Sequence, residues 1–167
     1  MKFADHKDAY ELTPAQQEMF SQAQRAPGSQ AYFEQIVYAY QGALDVPAFA
    51  QAWQRLIDRH PILRTSFCLI DGAEPVQLVH SHVALPLATD DWRELPSSVQ
   101  EQRLAVFVEA DRCLGFDLGR APLIRLKLVR LGEESYRFVV SNHRLIMDGW
   151  SMALVRSEVS MFYKVCQ

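Results

Sequence analysis

Residues 124–140 read Ile-Arg-Leu-Lys-Leu-Val-Arg-Leu-Gly-Glu-Glu-Ser-Tyr-Arg-Phe-Val-Val. Ile124, Leu126 and Leu128 alternate with Arg125, Lys127 and Val129, a turn follows at Gly132 to Ser135, and Tyr136, Phe138 and Val140 resume the alternation. A period of two on either side of a glycine-containing turn marks an antiparallel hairpin. Its second strand runs directly into Ser141-Asn142-His143-Arg144-Leu145-Ile146-Met147-Asp148-Gly149-Trp150, after which Met152, Val155, Val159 and Phe162 mark a closing helix. A polar, titratable loop between a buried strand and a helix is a common place for chemistry.

Upstream, Thr13 and Pro14 predict an N-cap and first helical position, with a helix to about Ala23 that Ala26-Pro27-Gly28-Ser29 breaks. Tyr32, Ile36, Tyr38 and Tyr40 then recur with even spacing, as in a strand. Asp45 caps a second helix in which Phe49, Trp53, Leu56 and Ile57 share one face, ending before Pro61. Strands are expected over Leu63 to Ile70, Val76 to Val79 and Val83 to Leu87. Ser98 and Glu101 have the spacing of a capping box, and Leu104, Phe107, Val108 and Leu114 form an apolar stripe stopping at Gly115. This order predicts an α+β fold, a mixed and largely antiparallel sheet packed with helices on one side.

The 167 residues are 49% apolar and 22% charged, enough for one domain with one core. A net charge of -3 lacks the basic excess of a phosphate-backbone binder and argues against a nucleic-acid partner. No apolar run approaches the roughly twenty residues that span a bilayer, and the charged residues Asp5 to Asp8 stand where a secretory signal would be apolar, so a cytoplasmic location without membrane insertion is expected. Cys68, Cys113 and Cys166 are spaced as free, buried or half-buried thiols. His60 reads as part of a helix end, and His80 and His82 alternate along a strand without a third ligand, so no metal site is expected. His143 reads equally as a catalytic imidazole or a satisfied structural one, and Asp148 as a catalytic carboxylate or the cap of the last helix.

Three motifs in order carry a family resemblance. Leu12-Thr13-Pro14-Ala15-Gln16 resembles an opening motif, with Glu18 where that motif usually has arginine. Arg59-His60-Pro61-Ile62-Leu63-Arg64-Thr65-Ser66-Phe67 resembles a second, and His143-Arg144-Leu145-Ile146-Met147-Asp148-Gly149-Trp150-Ser151 resembles a third, whose core is His-His-x-x-x-Asp-Gly. Phe116-Asp117-Leu118 and Ala121-Pro122-Leu123-Ile124-Arg125 support the match. The chain resembles the N-terminal lobe of a nonribosomal peptide synthetase condensation domain, within the chloramphenicol acetyltransferase-like superfamily. On this reading residues 1–11 are an N-terminal extension and 12–167 the lobe.

The resemblance implies a half-domain whose C-terminal lobe is missing, and substrates presented as phosphopantetheine thioesters on carrier proteins, with no intrinsic cofactor. It assigns proton handling to the second histidine of the motif, where this chain has Arg144, and a mainly structural part to the first, His143. A guanidinium with a pKa above about 12 cannot act as a base. The resemblance further implies that Asp148, before Gly149, forms an ion pair with Arg64. The expected role is noncatalytic docking or recruitment of a carrier protein or tailoring enzyme. The alternative is part of an active, amide-forming acyltransfer domain completed by a C-terminal lobe. A second copy of the chain is a further possible partner, because half of a pseudo-dimer exposes an apolar face.

Overall fold

The computed structural model describes residues 6–26, 28–70 and 74–167. These residues include seven strands and four α-helices: β1 His6–Glu11, α1 Pro14–Arg25, β2 Phe33–Gln41, α2 Val46–Arg59, β3 Thr65–Ile70, β4 Glu74–His80, β5 Leu87–Asp91, α3 Ser97–Leu114, β6 Ile124–Gly132, β7 Ser135–His143 and α4 Gly149–Cys166. They make a three-stranded sheet of order β1-β4-β3 and a four-stranded sheet of order β2-β7-β6-β5. Every pair is antiparallel except β5 with β6, so the fold is α+β with one mixed sheet.

Local chemistry fixes the helix starts. Thr13 accepts the Gln16 N–H while Gln16 Oε1 accepts the Thr13 N–H, a reciprocal capping box, and Pro14 opens α1. Asp45 accepts the Ala48 N–H at 2.9 Å, and its own N–H donates to Tyr163 Oη at 2.9 Å, joining the start of α2 to α4. The main core lies between these two helices and one face of the larger sheet. Phe138 meets Phe49 edge-on at 5.0 Å, Trp53 at 5.6 Å and Tyr38 at 6.4 Å, with Leu56, Ile57, Met152, Val155 and Val159 buried around them.

Several sequence expectations are corrected. The predicted helices lie on both sides of the larger sheet: Asp111 of α3 binds Gln35, Arg125 and Ser141, while the alternating residues Ile36, Leu126 and Val140 belong to the α2–α4 core. No element was expected before Leu12, yet residues 6–11 form β1, because β4 supplies a partner; residues 1–5 lie outside the described set. Pro61–Arg64 form a 3₁₀ turn, so the strand expected from Leu63 begins at Thr65. The strand expected over Val83 to Leu87 shifts to Leu87–Asp91. Gln54 holds the earlier segment, donating to Val83 O at 3.0 Å and accepting from Leu85 N–H at 2.8 Å. Ser98 does not cap α3, since Pro96 is the N-cap and the helix already includes Ser97. Cys113 is exposed rather than buried, and Cys68 and Cys166 are half-buried.

Candidate functional site

β7 lies between β2 and β6, so its C-terminal residues are enclosed from both sides. Ser141, Asn142 and His143, read from sequence as loop, are the buried end of this strand. Burial obliges their polar groups to find partners. Ser141 Oγ donates to Asp111 Oδ2 at 2.6 Å, and Asn142 Nδ2 donates to Met147 O at 3.2 Å, pinning the following turn to the strand. The Arg144 N–H donates to Tyr32 O at 2.9 Å, and Leu145, Ile146 and Met147 enter the core.

His143 and Arg144, neighbours in sequence, occupy opposite environments. His143 is 5% exposed; its Nδ1 accepts the Leu145 N–H at 3.2 Å, and its ring lies 6.2 Å from that of Tyr32. Removal from water disfavours the imidazolium and pushes the ring down to about 4. Arg144 turns outward, its Nε 3.4 Å from Glu34 Oε1. Its guanidinium can hold an anion or a carbonyl oxygen but cannot take a proton.

Asp148 Oδ1 accepts the Ser151 N–H at 2.9 Å and the Ser151 hydroxyl at 2.8 Å, which makes it the N-cap of α4. Gly149 is the first residue of that helix. Arg64 is buried at the C-terminal end of α2. Its Nε donates to Ile57 O at 3.2 Å, Nη2 to Asp58 O at 3.4 Å, and Nη1 to His80 O and Ser81 O. It therefore closes the carbonyl end of α2, where the helix dipole favours a cation, and ties that end to the segment leaving β4. The ion pair expected between Arg64 and Asp148 is not among those described: the guanidinium is directed to main-chain carbonyls, and the carboxylate to the start of α4.

Three further histidines have local partners. His60 ends α2 and places Nε2 2.7 Å from Glu158 Oε2, His80 Nε2 is 2.8 Å from Ser66 Oγ, and His82 Nδ1 is 3.6 Å from Asp58 Oδ1. Among the described residues no group of three or more His, Cys, Asp or Glu side chains is placed to hold a metal ion. No helix among them is long and apolar enough to cross a membrane.

Sequence reasoning missed the polar cluster beneath the site. Gln35, Ser141 and Arg125 are register partners across β2, β7 and β6, and all three bind the carboxylate of Asp111, itself 7% exposed. Arg125 also lies over the Phe116 ring at 4.1 Å. Only the strand register brings these residues into one row. It also missed Glu34, whose pairing with Arg144 depends on the same register.

Comparison with known proteins places this geometry. A family model described as the condensation domain matches residues 6–167. Linear gramicidin synthase subunits C and D of Brevibacillus parabrevis are 39% and 40% identical to the chain over 96% and 94% of its length. The chain spans only 2% and 3% of those two proteins. In fold, a variant of the starter condensation domain of the rhizomide synthetase RzmA aligns with a TM-score of 0.84 at 23% identity, covering 94% of this chain and 37% of that one. The tallysomycin biosynthesis protein TlmII aligns with a TM-score of 0.79 at 27% identity, covering 94% and 38%.

Proposed function

The chain belongs to the condensation-domain family of nonribosomal peptide synthetases, and from that premise we propose that it is a noncatalytic N-terminal lobe that docks or recruits a carrier protein or a tailoring enzyme. The observation that carries this reading is the loop's want of a base. Amide formation on a thioester requires the attacking amine to lose a proton as the thiolate leaves. Arg144 stands in the slot that the family resemblance gives to the proton-handling histidine, and a guanidinium has no lone pair to offer near neutral pH. His143 does not compensate. Its Nδ1 is occupied by the Leu145 N–H, and a ring whose pKa is about 4 resists protonation at pH 7 by about 4 kcal/mol.

Arg144 retains an electrostatic role on this reading, receiving a carbonyl oxygen or an anion once Glu34 is displaced. The ligands are phosphopantetheine thioesters borne by carrier proteins. A second reading, an active acyltransfer domain completed by a C-terminal lobe, is favoured by one observation: the chain covers 37% of the condensation-domain chain it overlies.

The test supplies donor and acceptor aminoacyl groups on carrier proteins and follows the dipeptidyl product by mass spectrometry. The chain is assayed alone and with a C-terminal condensation lobe. No product is expected from the unsubstituted chain in either case. Turnover with the added lobe that survives Arg144→Ala overturns the noncatalytic reading and establishes the second. Turnover that appears only in Arg144→His shows that the one side chain separates the lobe from an active site.

A further inference from the structure

Between the chain that leaves α1 and the turn that leaves α3 lies a cavity of about 260 Å³, whose lining includes Gln24, Ala26, Phe33, Phe116, Asp117 and His143. It opens on the side of the motif occupied by His143, whereas Arg144 reaches out to Glu34. His143 contributes a polar edge of known identity. Because Nδ1 accepts the Leu145 N–H, the neutral ring carries its proton on Nε2. Nε2 is not among the fully enclosed side-chain atoms that lack a partner, and no described residue bonds to it. It is therefore the ring nitrogen that meets the cavity surface, as an N–H donor.

The rest of the lining narrows what that donor can receive. Asp117 Oδ1 accepts the Gly119 N–H at 3.0 Å, which leaves the carboxylate with a second oxygen as an acceptor. Phe33 and Phe116, with ring centroids 5.6 Å apart, provide flat apolar surface. Among the described lining residues there is no lysine or arginine, so an anion would meet one carboxylate and no compensating cation. The fixed donor of His143, the Asp117 carboxylate, the Gln24 amide and the Ser29 hydroxyl, set beside aromatic walls and without a cation, suit an uncharged planar group that both accepts and donates.

We propose that this cavity is a binding site for a secondary amide, its carbonyl oxygen on His143 Nε2–H and its N–H directed to Asp117. The site is separate from the Arg144 face of the loop, and it holds whether or not the chain forms peptide bonds. His143, structural by family resemblance, is on this account also a binding residue whose donor is fixed by the turn that follows it.

Long-range proton–nitrogen spectra of the ¹⁵N-labelled chain read both ring nitrogens of His143, assigned by eliminating the other four of the five histidines with single His→Gln variants. The Nε2-protonated tautomer is expected. Titration with N-methylacetamide should move the His143 Nε2 resonance saturably, and sodium acetate should not. Ala26→Trp, at an exposed position on the rim, should raise the half-saturating amide concentration about tenfold or more while leaving the fold's spectrum dispersed. An Nδ1-protonated ring overturns the proposal. So does a response to amide that never saturates, that acetate matches, or that Ala26→Trp leaves unchanged.

Discussion

Arg144 Nε lies 3.4 Å from Glu34 Oε1, across the seam between β2 and the turn that follows β7, with side-chain exposures of 49% and 30%. Water competes for both ends of such a pair, which makes it a weak tether rather than a structural clamp. Glu34→Gln and Arg144→His should each change unfolding stability by less than about 1 kcal/mol, read from urea titrations followed by circular dichroism. A loss several times larger in either variant would mean that the pair supports the fold, and that Arg144 is not free to exchange its partner.

The buried ring of His143 makes stability depend on pH in a defined direction. Burial lowers its pKa from 6.5 to about 4, so the unfolded chain binds this proton more tightly than the folded one. The contribution is fully present above about pH 6.5 and is lost as pH falls towards about 4, at about 1.4 kcal/mol per pH unit. Between about pH 6.5 and about pH 5 the chain should lose about 2 kcal/mol through this group. The difference in unfolding free energy between the unsubstituted chain and His143→Gln, from urea titrations, should narrow by that amount over the same range. A constant difference would place the imidazole in contact with water.

Arg64 and Asp148 should act independently. Arg64→Ala leaves the carbonyls at the end of α2 without their cation and should cost about 3 kcal/mol, with little rescue by lysine, whose compact ammonium cannot serve both the helix end and the His80–Ser81 carbonyls. Asp148→Ala removes an N-cap and should cost at least about 1 kcal/mol. In the double variant the losses should add to within about 0.5 kcal/mol. A coupling energy well above that would establish the ion pair implied by the family resemblance.

Elements governed by neighbours in sequence were legible. The Thr13 cap with Pro14 behind it, the Asp45 cap and the alternation of Ile124 to Val140 each state their structure within a few residues. Elements decided by distant partners were not. β1 carries no strong strand signal and exists because β4 lies beside it, while Gln54 of α2 binds Val83 and Leu85 and holds residues 83–85 out of the sheet. The site divides the same way. The sequence brings His143, Arg144 and Asp148 into one segment, and Asp148 was already a candidate cap. That His143 turns inward, Arg144 meets Glu34 and Arg64 serves carbonyls from two other segments depends on register and on contacts between separate parts of the chain.

The β2–β7 ladder pairs Phe33 with His143, positions about 110 residues apart, and through that register it brings Tyr32 and Glu34 to the motif. Hairpins such as β6–β7 can close early, since their ends are already near one another. The β2 partner must be gathered across the whole intervening chain before its contacts repay the lost freedom. The turn at residues 143–148 therefore completes its surroundings late in folding. On a ribosome, a nascent chain that has emerged only as far as α3 holds Glu34 and Tyr32 with nothing to receive them.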